Sequence, residues 1–509
     1  MKLSELLKNA DIVKISGSVD LEITGVHHDS RSVEPGGLFF ALRGVNADGC
    51  DFIPAAIANG AAAIVAERPV DMPPHVTLVQ TPDARGLMAR AAANFYGDPT
   101  AGLPLVGITG TNGKTTTTYI IEGILKSAGI EPAVLGTISY RFGELAVEAS
   151  HTTPESTELQ AAMGKLAAAG AKGFVMEVSS HSLEQRRVDG CHFDVGIFSN
   201  LTRDHLDYHG SMEGYLAAKT RLFSELLQPD ELKPYRRAAV NMDDPEGAAV
   251  AAAASCPVIT FGTAESNDIH PVGISMTVNG ISGTVITPLG SFQFSSRLLG
   301  RFNLSNILAA TAAGVALRLP LPALKTGIEG HLPVPGRLER VDNSRGVTCL
   351  VDYAHTGDAL ENVLATLKEI ATGRIITLFG CGGDRDNGKR PIMGGVAARY
   401  SDFAVVTSDN PRTEDPWRIL EMVKAGVAAT GVREYLPSEI TGGFKEKGFV
   451  VMENRREAIN FAVRLARPGD ILLLAGKGHE DYQIIGTTKH HFDDREEAAK
   501  AFLEDAACR

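Results

Sequence analysis

The chain has 509 residues, 44% of them hydrophobic and 22% charged, and a net charge of −12. That length suggests about three domains, and the balance excludes a disordered tail. The acidic surplus argues against a nucleic-acid-binding protein led by phosphate contacts, yet a local loop can still hold a small phosphorylated ligand.

The first residues, Met1-Lys2-Leu3-Ser4-Glu5-Leu6-Leu7-Lys8, carry charges where a signal peptide needs an apolar core. No apolar run reaches the roughly 18 residues of a membrane span. A soluble, cytoplasmic protein is expected. Residues 1–102 mix short apolar strands at 37–42 and 75–79 with Ala-rich helical stretches. They predict a small mixed α/β N-terminal domain ending in the turn-rich Asp98-Pro99-Thr100-Ala101-Gly102. The six cysteines, Cys50, Cys191, Cys256, Cys349, Cys381 and Cys508, form no close pair. Reduced thiols are therefore expected, not a disulfide frame or a zinc site.

Residues 103–335 open on the apolar run 103–108, followed by a Gly-rich turn and a helix over 114–128 that stops at Gly129. Further strands are predicted at 174–178 and 195–200. This alternation predicts a central domain with a parallel sheet and a P-loop-like turn. Between 272 and 299 the pattern changes to short alternating strands, with Asn279-Gly280 as a hairpin signal. The stiff stretch Leu332-Pro333-Val334-Pro335-Gly336 leads into residues 336–509. Strands at 347–351, 374–379, 403–407 and 471–474, with helical stretches between them, predict a C-terminal doubly wound, Rossmann-like domain. The fold class is thus α/β, in three domains.

The strongest motif is Gly107-Ile108-Thr109-Gly110-Thr111-Asn112-Gly113-Lys114-Thr115-Thr116. A strand enters it and a helix leaves it. Glycines let backbone N–H groups face a phosphate chain, Lys114 adds positive charge, and the Thr115 hydroxyl suits Mg²⁺. The strict P-loop has Gly where this chain has Ile108, so the spacing is a variant. Glu177 and His205 lie at or just after predicted strand ends, where ligands collect in open parallel sheets. With Thr115 they form a candidate Mg²⁺ set, although a His ligand is less typical of that ion. A lone helix-start histidine bonded to its own loop is the plainer reading of His205.

Lys219 falls inside an apolar helical stripe of Met212, Tyr215, Leu216, Leu222, Phe223 and Leu226. Two readings stay open. Its ammonium snorkels to the surface, or a desolvated, neutral amine takes up CO₂ as a carbamate and turns a cation into an anion.

In the last segment four polar loops follow strands: Asp352-Tyr353-Ala354-His355, the Gly-rich stretch 380–390, Ser408-Asp409-Asn410-Pro411-Arg412, and Gly476-Lys477-Gly478-His479-Glu480. Loops at one edge of one sheet suit a polar, multiply charged small molecule. Arg385 and Arg412 fit two-pronged recognition of carboxylates, and Glu480 suits an ammonium. Taken singly, each arginine reads as an ordinary ion-pair partner.

In this combination and order the motifs resemble the Mur ligases, ATP-dependent amide-bond-forming enzymes of peptidoglycan precursor synthesis. The resemblance runs from Asp29-Ser30-Arg31 to the 476–480 loop. It implies that Thr109, Gly110, Thr111, Asn112, Gly113, Lys114 and Thr115 hold ATP, with Asn303, Arg337, Asp352 and His355 completing the nucleotide site. It implies that His28, Ser30, Val45, Asn46 and Ala47 meet a uridine diphosphate, and that Thr152, Thr153, Ser179, Gln185 and Arg187 hold a muramoyl dipeptide. Thr115, Glu177 and His205 would be the Mg²⁺ ligands and Lys219 the carbamylated lysine, with Lys114, Lys219 and His205 as catalytic groups. Arg385, Asp409, Asn410, Pro411, Arg412, Gly476 and Glu480 would bind the incoming amino acid. Within the family the Asp409–Arg412 run is the form associated with meso-diaminopimelate, whereas lysine-adding members usually lack that arginine. The implied reaction joins this amino acid to UDP-N-acetylmuramoyl-L-alanyl-D-glutamate through an acyl phosphate, in a monomer that acts on small molecules and on neither nucleic acid nor membrane. A folylpolyglutamate-type relative would lack the Asp409–Arg412 and Gly476–Glu480 pair. A nucleotide-operated switch would leave the four loops without a role.

Overall fold

The computed structural model of the chain describes residues 1–8, 10–44, 47–148, 151–331, 333–440 and 443–507. They form two compact units, Met1–Val272 with Thr284–Phe294 and Ser305–His331, and Gly273–Gly283 with Ser295–Leu304 and Leu332–Arg509.

The first unit carries two large sheets. The N-terminal one has five strands in the order Lys14–Ser16, Thr77–Gln80, Ala63–Ala66, Leu38–Phe40, Val26–His27, with only Lys14–Ser16 antiparallel. Apolar clusters lie on both its faces, around Leu38 and Phe40 on one and around Phe39 and Ile64 on the other. Neighbouring residues on opposite faces follow from the two-residue period of a strand. The second sheet has eight strands. Six are parallel, in the order Val258–Phe261, Arg237–Asn241, Val195–Phe198, Leu105–Thr109, Gly173–Glu177, Pro132–Leu135. Two antiparallel strands, Ser139–Phe142 and Leu145–Glu148, extend its edge. Leu105–Thr109 and Gly173–Glu177 are buried along their whole length, which is why their sequences are almost unbroken apolar runs. Their shared register brings Glu177 beside Ile108, at the end from which the Gly-rich turn leaves. Strand His270–Thr277 turns at Asn279-Gly280 into strand Gly280–Thr287, as the hairpin signal predicts.

The second unit is built on a seven-stranded sheet in the order Glu339–Val341, Thr348–Asp352, Ile471–Ala475, Ile375–Phe379, Phe403–Val406, Gly448–Val451, Arg433–Glu434. Only Glu339–Val341 is antiparallel. Apolar clusters cover both faces, as expected of a doubly wound sheet. Helix Gly357–Ile370 shows how the sequence specifies its packing. Leu360, Val363, Leu364, Leu367 and Ile370 fall on one stripe and are buried, and the Thr356 side chain caps the start by accepting from the Ala359 N–H. Each such buried leucine contributes about 1.5–3 kcal/mol. Four neighbouring parallel strands, ending at Asp352, Ala475, Phe379 and Val406, thereby deliver the four polar loops to one edge.

The described cysteines, Cys50, Cys191, Cys256, Cys349 and Cys381, are free thiols. Cys508 lies outside the described residues. No described helix is long and apolar enough to cross a membrane.

Candidate active site

In the first unit, strand Leu105–Thr109 runs into the turn and helix Lys114–Ser127 leaves it. Gly113 stands at φ 86°, and a Cβ there would lie 2.3 Å from the Asn306 side-chain oxygen. At Gly110, φ 150°, a Cβ would lie 1.9 Å from Ser199 Oγ. Both positions therefore require glycine. Asn200 pins the turn. Its carbonyl accepts from the Thr111 N–H at 3.0 Å and its side-chain oxygen from the Asn112 N–H at 2.8 Å. Lys114 Nζ curls back onto the Gly110 and Thr111 carbonyls, at 2.8 and 2.9 Å. A helix start, a Gly-rich turn and an ammonium in one place constitute an anion-binding arrangement.

Glu177, 1% exposed, closes its strand beside this turn. Its carboxylate accepts from Thr115 Oγ1 at 2.9 Å, from the Thr137 N–H at 3.0 Å and from Thr137 Oγ1 at 3.0 Å. Thr137 Oγ1 lies 3.1 Å from Thr152 Oγ1, and Thr153 Oγ1 donates to the Glu177 carbonyl at 2.8 Å while accepting from the Ser179 N–H. Arg187 donates to the Thr153 carbonyl and to Gln185, and pairs with Glu155 at 3.1 Å. The structure thus joins Thr115, Glu177, Thr152, Thr153, Ser179, Gln185 and Arg187 into one network. Thr137 was missed by sequence reasoning. The only signal was its place just after strand Pro132–Leu135, at the same sheet edge.

His205 begins the short helix Leu206–His209 at φ 52° and is half exposed. It sits among aromatic side chains, 4.9 Å from the His181 ring and 6.1 Å from the Tyr215 ring. Among the described residues no hydrogen bond joins it to Thr115 or Glu177. His181 is held down to about 4 by burial, reinforced by the imidazoles of His205 and His209. Lys219 is 1% exposed, which removes the snorkelling reading. Its Nζ lies 4.4 Å above the Tyr215 ring, and Tyr215 OH reaches Thr111 Oγ1 at 3.2 Å. Burial, then the charge of Lys114, drives the Lys219 amine well below the usual lysine range, and only Asp204 opposes this.

No three His, Cys, Asp or Glu side chains cluster as a metal cage among the described residues. Mg²⁺ fits on other terms, since it commonly takes one or two protein oxygens together with waters and substrate phosphates. Thr115 Oγ1 and the Glu177 carboxylate, hydrogen-bonded to each other beside the phosphate loop, supply such oxygens.

Of the residues read as meeting a uridine diphosphate, His28 Nδ1 lies 2.9 Å from Thr157 Oγ1. Ser30 is buried in the turn Ser30–Ser32, its carbonyl taken by Asn59. The Ala47 carbonyl accepts from the Gly44 N–H. Val45 and Asn46 lie outside the described residues.

In the second unit, Arg385, Asp409, Asn410, Arg412, Gly476 and Glu480 all line one cavity of about 340 Å³, together with His355. Tyr353, Lys389 and Tyr482, none of them singled out by sequence, also line it, as does the stretch 380–382. Arg385 and Arg412 have no ion pair among the described residues. The Arg412 backbone, at φ 52°, is fixed to the strand Tyr482–Ile485 through the Ile484 carbonyl, and its Nη1 donates to the Gly383 carbonyl at 2.8 Å. Pro411, just before it, turns the chain and accepts from the Glu414 N–H. In the same cavity, Asn410 Nδ2 donates to Glu480 Oε2 at 2.9 Å. Burial and the neighbouring Asp409 push the Glu480 carboxyl up. Burial acts on Asp409 in the same sense, but Lys477 and Arg455 outweigh it and hold that group below the usual range. The fully buried Arg455 pairs with Asp494 and donates to the Ser408 and Ala475 carbonyls, both at 3.2 Å, at the start of two of the loops.

Asp352 is buried, which raises its carboxyl, and it accepts from the Leu338 and Ala354 N–H groups at 2.8 and 2.9 Å. The Arg337 guanidinium lies 5.2 Å above the Tyr353 ring, and His355 Nδ1 is 2.8 Å from the Tyr353 carbonyl. These three expected nucleotide residues therefore gather around Tyr353. Asn303, in helix Arg301–Ala316, is buried and donates to the Leu299 carbonyl just before that helix.

Three family models match the chain: Mur ligase family, catalytic domain, over residues 22–96; Mur ligase middle domain, over 108–314; and Mur ligase, glutamate ligase domain, over 336–478. The UDP-N-acetylmuramoyl-L-alanyl-D-glutamate–2,6-diaminopimelate ligase of Geobacter metallireducens is 61% identical over 504 residues, covering 99% of each chain. That of Geobacillus thermodenitrificans is 44% identical, covering 99% of this chain and 100% of its own. A solved structure of a ligase of the same description is 34% identical, covers 100% of this chain and 99% of its own, and superimposes with a TM-score of 0.73.

Proposed function

The chain belongs to the Mur ligase family, and from that premise we propose that it joins meso-diaminopimelate to UDP-N-acetylmuramoyl-L-alanyl-D-glutamate in peptidoglycan precursor synthesis. It is an ATP-dependent, ADP-forming ligase with the three-domain α/β architecture of its family. On this reading residues 1–102 bind the uridine diphosphate end, 103–335 bind ATP, and 336–509 bind the amino acid, in a cytoplasmic monomer.

A carboxylate is a poor acyl donor, so the γ-phosphoryl group of ATP is first transferred to it. The 109–115 turn cradles the triphosphate with backbone N–H groups, and Lys114 exchanges its carbonyl partners for phosphate oxygens. Thr115 and Glu177, with His205 as the third expected ligand, would hold Mg²⁺, whose charge would offset that of the phosphoryl oxygens. Thr152, Thr153, Ser179, Gln185 and Arg187 orient the dipeptide carboxylate from the network around Glu177. Lys219, neutral because it is buried, is suited to carry a carbamate. Asn303, Arg337, Asp352 and His355 complete the nucleotide contacts. Arg385 and Arg412 clamp the carboxylates of diaminopimelate, and Glu480 and Asp409 receive an ammonium. The amine that attacks the acyl phosphate must be uncharged. It forms a tetrahedral intermediate that expels phosphate.

One observation carries the choice of amino acid. Two arginines without ion pairs and a pair of carboxylates line the same 340 Å³ cavity, which suits a molecule with more than one carboxylate and an ammonium. The test is phosphate release and tripeptide formation by the purified protein. Both are expected only with ATP, Mg²⁺, the dipeptide precursor and diaminopimelate together. ATP turnover that yields no tripeptide product would sink the proposal.

A further inference from the structure

Lys477 is among the most enclosed charges in the second unit, and the reaction does not use it directly. Its side chain is 0% exposed, and it is not among the residues that line the cavity. It stands behind three that do. Its Nζ donates to Asp409 Oδ1 and Asn410 Oδ1, both at 3.3 Å, and lies 3.5 Å from Glu480 Oε2. Two of the three N–H bonds of this ammonium thus have acceptors, and Glu480 adds an ion pair. The three oxygens come from two loops, after strands Phe403–Val406 and Ile471–Ala475. The Asn410 amide closes the group by bonding Glu480 and by accepting from the Ile484 N–H at 2.9 Å.

Building on the diaminopimelate reading of this cavity, we propose that Lys477 is a positioning residue for the incoming amino acid. Its buried ammonium fixes Asp409, Asn410 and Glu480 as one wall and leaves that wall the single net negative charge an ammonium needs.

The charge count follows from the neighbours. Asp409 and Glu480 contribute two negative charges and Lys477 one positive. Arg455, on an adjoining helix, is already paired with Asp494. Of the cations that line the cavity, Arg412 donates to the Gly383 carbonyl, Lys389 donates to the His355 carbonyl, and Arg385 has no ion pair among the described residues. His355, Tyr353 and Tyr482 also face the two carboxylates. His355 is kept neutral by burial, and burial raises both tyrosines, so none adds a charge near neutral pH. Two desolvated carboxylates without a counter-charge cannot both stay ionised, and one takes a proton. Without Lys477 the wall would thus trade a fixed geometry for a shared proton, and Glu480 would lose its capacity to receive an ammonium as the pH falls.

The test uses the full-length enzyme and steady-state kinetics across pH. In Lys477→Met the KM for diaminopimelate is expected to rise about tenfold to a hundredfold. The KM values for ATP and the dipeptide precursor should change little. The acid limb of kcat/KM for diaminopimelate should move to higher pH, because the carboxylates now bind protons more readily. Lys477→Arg, which keeps the charge, should hold that limb near its wild-type position. The double variant K477M/D409N restores one net negative charge and should recover part of the loss, even if K477M alone folds poorly. An unmoved acid limb in folded K477M, or additive losses in the double variant, would overturn the positioning role. Failure of the wild-type enzyme to use diaminopimelate would instead overturn the reading on which it rests.

Discussion

Two lysines lie buried at the edges of parallel sheets, Lys219 in one unit and Lys477 in the other, and their surroundings are opposite. Lys219 has an aromatic face for a neighbour and no ion pair among the described residues, and the ammonium of Lys114 adds repulsion. Lys477 has three oxygens around it, two of them from carboxylates. Desolvation disfavours the charged form of any amine, and only a nearby opposite charge offsets it. The first environment therefore selects a neutral amine that can react with CO₂, and the second holds a compensated ion pair. Burial alone says little about what a lysine does; its partners decide.

The sharpest way to break this comparison is to remove the first lysine. Lys219→Ala is expected to lower kcat by about a hundredfold to a thousandfold, the usual loss when a charge at the reacting centre disappears. A small carboxylate such as formate should restore part of the rate, and wild-type enzyme stripped of bicarbonate should slow. Full activity of the variant would reduce Lys219 to a structural group. A smaller effect is expected at the other site. Arg412, which has no ion pair among the described residues, awaits a carboxylate. Arg412→Ala should lower the preference for diaminopimelate over lysine by about a hundredfold in a competition assay. An unchanged preference would remove Arg412 from selectivity and weaken the charge-matching account of the cavity.

The sequence exposed whatever is local. The apolar runs of Leu105–Thr109 and Ile471–Ala475 announce buried parallel strands, and the turn at 110–113 shows its glycines. Polar loops after successive strands can be assigned to one edge, because parallel connections return every strand in the same direction. Partners set by tertiary packing stayed hidden. Thr137 reaches Glu177 across 40 positions, and Arg455 reaches Asp494 across 39. Lys477 was visible in its motif but read as one more loop residue, because its enclosure comes from a second loop 67 positions away. The helical stripe around Lys219 indicated a face but not a depth, so both readings stood until the side chain proved buried. His205 begins the helix Leu206–His209 beyond strand Val195–Phe198, and its aromatic neighbours come from His181 and Tyr215 on other elements.

A buried base without an acid partner should also leave a mark on stability, and His479 offers the gentlest test. Its Nδ1 is buried with no hydrogen-bond partner among the described residues, and its ring lies 5.0 Å from that of Tyr353. Burial, then the guanidinium groups of Arg337 and Arg495, lowers the imidazole from 6.5 to about 4. The unfolded chain therefore binds this proton near 6.5 and the folded chain only near 4. Between those values the unfolded state holds more protons, so stability rises with pH. The contribution is complete above about 6.5 and is lost as the pH falls toward 4. His181 acts in the same window, so replacing one histidine should flatten the curve without abolishing its slope. His479→Phe, which keeps a ring against Tyr353, should reduce the loss of stability across this range by about 2–3 kcal/mol. Urea unfolding of both proteins across the window measures it. Identical pH slopes would mean that the His479 imidazole is solvated or paired after all, and that the contrast between partnered and unpartnered buried bases does not extend beyond the two lysines.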